Sequence, residues 1–111
     1  GKLTIHHGRA YQVMTNSPAF EKQLEMNAYW QGINGTEMLP GTNRSPDRFA
    51  RASFYVNAVP KSQTPQLSLA SVFSVIRNVS VPYGLTTPGE PNISSTRWRS
   101  VIDHKQSLYF F

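Results

Sequence analysis

The pairs Ser17-Pro18, Ser45-Pro46 and Thr64-Pro65 each stand at the head of a stretch whose apolar residues recur at helical spacing. A hydroxyl at an N-cap accepts one of the orphan N–H groups of the first turn. A proline just inside that turn has no N–H to leave unpaired. The three pairs therefore predict three helix starts. Phe20, Leu24 and Ala28 mark the expected buried face of the first helix, and Phe49, Ala52, Ser53 and Val56 that of the second. Leu69, Val72, Phe73 and Ile76 mark the third, and Pro60 lies just past the end of the second.

Around these helices the pattern changes to alternation, which suits half-buried strands. Leu3 to His7 reads as one strand and Ala10 to Asn16 as a second, with Gly8-Arg9 as the turn between them. Ser95 to Ile102 reads as another, Asp103 to Gln106 as a turn, and Leu108 to Phe111 as the beginning of a last strand. Residues 32–44 and 80–91 are rich in Gly, Pro, Asn and Thr and read as loops. A chain that starts in one strand and stops in another, on Tyr109-Phe110-Phe111, is expected to be a piece of a larger sheet, with residues 1–111 as a single partial domain.

Composition narrows the function classes. Hydrophobic residues make up 39% and charged residues 15%, while 12% aromatic content argues for a folded chain over a disordered one. The net charge of +5 comes from basic residues dispersed from Lys2 to Lys105. Arg97 and Arg99 flank Trp98, but on a strand both arginines share one face and Trp98 takes the other, the ordinary pattern of a half-buried strand. This argues against a nucleic-acid partner. Without cysteine the chain has no disulfide framework and no cysteine-based zinc site. Adjacent His6 and His7 point to opposite strand faces and His104 sits in a turn, so no metal or other cofactor is expected. No apolar run reaches membrane-spanning length, and no membrane partner is expected. Asn34, Asn78 and Asn92 each head a glycosylation sequon.

Two of the helix starts deliver a polar residue at the junction where an irregular or extended stretch meets a helix: Asn16 and Arg48. Such junctions hold a donor rigidly while aiming it into a cleft. A carboxamide that donates to a developing oxyanion and a fixed guanidinium both suit acyl-transfer chemistry. By residue type alone, Asn16 reads first as a strand-end or capping residue, and Arg48 as a solvated helix residue. Arg51, one turn later, reads as a surface partner, and Ser17, Ser45 and Thr64 read as caps, not nucleophiles.

Val13-Met14-Thr15-Asn16-Ser17-Pro18, Leu39-Pro40-Gly41 with Ser45-Pro46-Asp47-Arg48-Phe49, and Pro91-Asn92-Ile93-Ser94-Ser95-Thr96 occur in this order and spacing. The chain thereby resembles the choloylglycine hydrolase family of N-terminal-nucleophile amidases, nearest to its Gram-negative penicillin V acylase-like branch. The resemblance runs from Tyr11 to Leu24, from Leu39 to Phe54 and from Pro91 to Asp103. It implies an α+β fold, a portion of an αββα four-layer sandwich with two antiparallel sheets inside and helices outside. It also implies hydrolysis of a linear amide C–N bond, in penicillin V, conjugated bile salts or acyl-homoserine lactones, through a cysteine thioester. The resemblance places the family's oxyanion-hole amide at Asn16 and an active-site arginine, the electrostatic organiser of the nucleophile, at Arg48. The partner it calls for is the remainder of the amidase carrying the N-terminal cysteine, so this chain alone is expected to be inactive. Residues 32–44 are expected to line the acyl pocket. The family also implies a homo-oligomer, a tetramer, and the branch a periplasmic location, with a cytoplasmic one as the alternative. The rival is a non-catalytic ligand-binding or regulatory module of the same fold.

Overall fold

The computed structural model describes residues 1–61 and 64–111. Among these residues the elements are helices α1 (Phe20–Ile33), α2 (Ser45–Ala58) and α3 (Pro65–Asn78), then strands β1 (Val101–Asp103) and β2 (Leu108–Phe110). A 3₁₀ turn covers Arg9–Tyr11. The chain divides into two compact units, Gly1–Phe54 and Tyr55–Phe111.

In the first unit the expected strands 3–7 and 10–16 are absent: residues 1–7 and 13–15 are irregular, and Leu3 and Ile5 are exposed. Alternation supplies only a side-chain pattern. A strand also needs a partner for its N–H and C=O groups, and these residues pair with none of the described ones. Aromatic packing organises the segment instead. His6 lies 4.7 Å from Tyr11, Tyr11 4.8 Å from Phe20, and Phe20 meets the buried Phe49 edge-on at 6.3 Å. Gly8, at φ 91°, starts the turn at the expected place, and Tyr11 N–H donates to its carbonyl at 3.2 Å.

α1 begins later than expected. The Ser17–Pro18 bond is cis, Ala19 occupies the N-cap without a side-chain cap, and the first intrahelical bond runs from Gln23 N–H to Ala19 O. The buried face is also rotated. Leu24 is 46% exposed and Ala28 is exposed, whereas Gln23 and Asn27 are buried and Phe20 and Trp30 half-buried. The inward stripe is therefore Phe20-Gln23-Asn27-Trp30, at i, i+3, i+7 and i+10. Polar side chains on it hide the periodicity from hydrophobic patterning.

After α1, Asn34 turns the chain in the left-handed region, at φ 75°, and its Oδ1 accepts from both Thr36 N–H and Thr36 Oγ1–H. Gly35 follows because there is no room for anything larger: a Cβ there would stand 2.3 Å from the Phe54 ring. α2 starts as expected at Ser45, but Arg44 provides the first carbonyl, accepting from Arg48 N–H at 3.0 Å. Ser45 is thus the first helical residue and not the cap. Phe49 and Ala50 are its buried residues.

In the second unit α3 keeps its predicted cap. Thr64 Oγ1 accepts from Leu67 N–H at 3.3 Å, with Pro65 in the first helical position. Val75 is buried, and Leu69, Phe73 and Ile76 are half-buried, but Val72 is exposed. α3 packs on β1. The hairpin is antiparallel, with Val101 opposite Phe110 and Asp103 opposite Leu108. Asp103 Oδ1 closes its turn by accepting from Lys105 N–H and Gln106 N–H.

The strand expected over 95–102 shortens to its last residues. Ser95 and Thr96 are tied to the preceding loop instead: Gly84 N–H donates to Ser95 Oγ and Val81 N–H to Thr96 Oγ1. Trp98 is 65% exposed, Arg97 lies 6.0 Å from the Tyr83 ring, and Arg99 Nε donates to Ser80 Oγ. The half-buried alternation expected around Trp98 is therefore not realised.

Candidate active site

The first turn of α2 gathers three strands of chain in the first unit. Thr42 starts the approach: its Oγ1 accepts from Arg44 N–H at 3.2 Å and donates to the Asp47 carboxylate. Asp47 also sits in the first helical turn, where negative charge is favoured by the helix dipole. Arg51 Nη1 donates to Pro40 O at 2.7 Å and to Thr42 O at 2.8 Å. The surface role expected of Arg51 is thus replaced by a clasp that fastens the loop to the helix. The guanidinium fork, with several donors in one plane, is suited to collecting carbonyls in this way.

Arg48, on the same turn, reaches two ways. Nε donates to Asn43 O at 3.1 Å, and Nη2 donates to Asn16 Oδ1 at 2.8 Å. A guanidinium can only donate, so the carboxamide atom facing it is the oxygen. That contact fixes which end of the amide is left: the NH₂ group, pointing away from the arginine. Asn16 is exposed and Arg48 half-buried. The charge-assisted bond draws electron density toward Oδ1 and makes the remaining N–H a stronger donor. Both residues singled out in the sequence are therefore in contact, and their shared chemistry is to present an N–H beside a permanent positive charge. Such an arrangement stabilises an oxygen that gains negative charge.

Two further contacts hold the pair, and neither was singled out in the sequence as part of the site. Ser17 N–H donates to Ser45 Oγ at 3.0 Å, binding the residue after Asn16 to the first residue of α2. Gln23 is 2% exposed, and its Nε2 donates to Pro46 O at 3.3 Å, while its Oε1 has no partner among the described residues. Gln23 carried no signal in the sequence, because the stripe Phe20-Gln23-Asn27-Trp30 is visible only in the fold. Ser45 carried a signal, but as a cap. His6 packs against Tyr11, and His104 lies in the hairpin turn of the second unit.

Comparison with known proteins covers nearly the whole chain. The family model for linear amide C–N hydrolases of the choloylglycine hydrolase family matches residues 1–111. A penicillin V acylase of Pectobacterium atrosepticum is 56% identical over 123 aligned positions, which take in 100% of this chain and 33% of the relative. The solved structure of a penicillin V acylase from Agrobacterium tumefaciens superposes with a TM-score of 0.89 at 73% identity, over 98% of this chain and 34% of that one. The chain thus spans about a third of the length of these relatives. Its combination of helices with a small antiparallel sheet is the α+β backbone of the corresponding stretch of an N-terminal-nucleophile hydrolase.

Proposed function

Because the chain belongs to the choloylglycine hydrolase family of linear amide C–N hydrolases, we propose that it supplies the oxyanion donor and an organising cation to an amidase that cleaves penicillin V or a closely similar acyl amide. The chain has no cysteine, so in this reading the nucleophile comes from outside its 111 residues. A thiolate there attacks the amide carbonyl carbon, and the carbonyl oxygen takes up the negative charge. Asn16 Nδ2–H donates to that oxygen. The C–N bond then breaks, the amine leaves with a proton, and water hydrolyses the thioester to the free acid. An N-terminal α-amino group suits the role of base, since its pKa of about 8 leaves part of it neutral at pH 7.

The observation that carries this reading is the bond from Arg48 Nη2 to Asn16 Oδ1. It holds the amide in the one orientation that offers an N–H outward. Arg48 adds a fixed positive charge that favours both the thiolate and the oxyanion. Both relatives are penicillin V acylases, which supports penicillin V as the first substrate to assay, ahead of conjugated bile salts and acyl-homoserine lactones.

Asn16→Ala in the amidase that contains this chain tests the reading. Loss of one oxyanion donor is expected to lower kcat for penicillin V by roughly 10²–10³-fold. KM and the unfolding transition should move little. An unchanged kcat removes Asn16 from the mechanism.

A further inference from the structure

We propose that Ser45 is a positioning residue for this hydrolysis, acting through Asn16 without touching the substrate. The inference rests on the amidase reading and adds to it the element that sets the base of the oxyanion donor.

A carboxamide is placed by two things: the backbone that carries it and the partner at its tip. Arg48 fixes the tip, 2.8 Å from Oδ1. Left to that contact alone, Asn16 would ride on a segment without regular structure, since residues 13–15 are irregular and 16–18 form a bend. The backbone anchor is Ser45. Its Oγ accepts the N–H of Ser17 at 3.0 Å, fixing the peptide unit that joins Asn16 to Ser17.

Both anchors come from one turn of one helix. Ser45 and Arg48 are at i and i+3 on α2, so they lie on neighbouring positions of the same face. Asn16 is thereby registered against a rigid element at two points, and small displacements of the 13–18 segment cannot change its aim without breaking one of them. The helix itself is seated independently: Arg51 binds the carbonyls of Pro40 and Thr42, and Gln23 binds that of Pro46. Removing the Ser45 hydroxyl should therefore loosen Asn16 and leave α2 in place. A cap could not do this, because a capping hydroxyl would act on its own helix, whereas this one reaches 28 residues back in the chain.

The test is a cycle of variants in the intact amidase, assayed on penicillin V. Ser45→Ala is expected to lower kcat by roughly tenfold, within the range that misplacement of a catalytic group produces. KM should stay within about twofold, and Ser45→Thr, which keeps the hydroxyl, should restore most of the rate. In an Asn16→Ala background, Ser45→Ala should cause no further loss, since the carboxamide that its bond to Ser17 positions is gone. Unfolding of each variant is followed by circular dichroism to separate loss of rate from loss of fold. Absence of penicillin V hydrolysis in the parent enzyme would defeat the amidase reading itself, whereas an Asn16→Ala enzyme with normal kcat would remove Asn16, and Ser45 with it, from the mechanism. If Asn16→Ala is slow, then a normal Ser45→Ala enzyme, a failure of Thr to rescue, or a further loss in the double variant would overturn the role of Ser45.

Discussion

Arg48 Nη2 lies 2.8 Å from Asn16 Oδ1, across 32 residues of sequence. Through Nε the same guanidinium holds the carbonyl of Asn43. One side chain thus joins the loop before α2 to the segment before α1, and it does so with a donor-only group that dictates the orientation of the amide it meets. Positive charge, amide direction and loop position are consequences of a single residue.

Arg48→Lys separates charge from geometry. Lysine keeps the charge but is a compact donor on a flexible stem and cannot span Asn43 O and Asn16 Oδ1 as the planar fork does. Losing a charge-assisted hydrogen bond costs about 1.5–3 kcal/mol. The kcat of Arg48→Lys is therefore expected to fall by roughly ten- to a hundredfold, and that of Arg48→Met by at least as much. Steady-state kinetics on penicillin V would check this. Wild-type turnover in the lysine variant would show that charge alone suffices.

Thr64 and Ser17 look alike in sequence and differ in structure. Thr64 caps α3 through its side chain, whereas Ser17 contributes its backbone N–H and caps nothing. Thr64→Ala is expected to destabilise the fold by about 1 kcal/mol, and Ser17→Ala to change it by no more than about 0.5 kcal/mol. Urea unfolding of the two variants side by side decides the matter. Equal losses would contradict the assignment of the caps.

Gln23→Glu keeps shape and removes the donor to Pro46 O. A carboxylate buried at this site faces a carbonyl oxygen and has no cation bonded to it, so the variant should lose roughly 3 kcal/mol at neutral pH. Burial holds the introduced carboxyl above its unfolded value of about 4.3. The folded state then binds the proton more tightly than the unfolded one, and stability falls as pH rises through the window above 4.3. Acidification toward pH 4 should restore much of the loss, because the protonated acid can again donate to Pro46 O. Chemical unfolding of the variant at pH 4.5 and 7 would show it. A variant as stable as the parent at pH 7 would mean that the site is open to water.

α3 was legible because every signal for it is local. The Thr64 hydroxyl, Pro65 and the spacing of Leu69, Phe73 and Ile76 all act within one or two turns. The hairpin turn was legible for the same reason, since Asp103 bonds to N–H groups two and three residues on. α1 was only half legible. The helix was expected from Ser17-Pro18 and the spacing of Phe20, Leu24 and Ala28, but its inward face carries Gln23 and Asn27, which look like solvent-facing residues until their surroundings are known. The expected strands near the N-terminus failed on a different count: alternation is a property of side chains, and pairing is a property of neighbours.

By itself, then, the sequence determined the helices, the turns between them, and the residue types at Asn16 and Arg48, because caps, periodicity and turn chemistry operate over a few residues. Tertiary structure decided that these two side chains meet, that Ser45 serves Ser17 instead of its own helix, and that α1 turns polar groups inward. Those outcomes depend on hydrogen bonds closed over about 20 to 30 residues, whose energies of roughly 1 kcal/mol each exist only once the helices have docked.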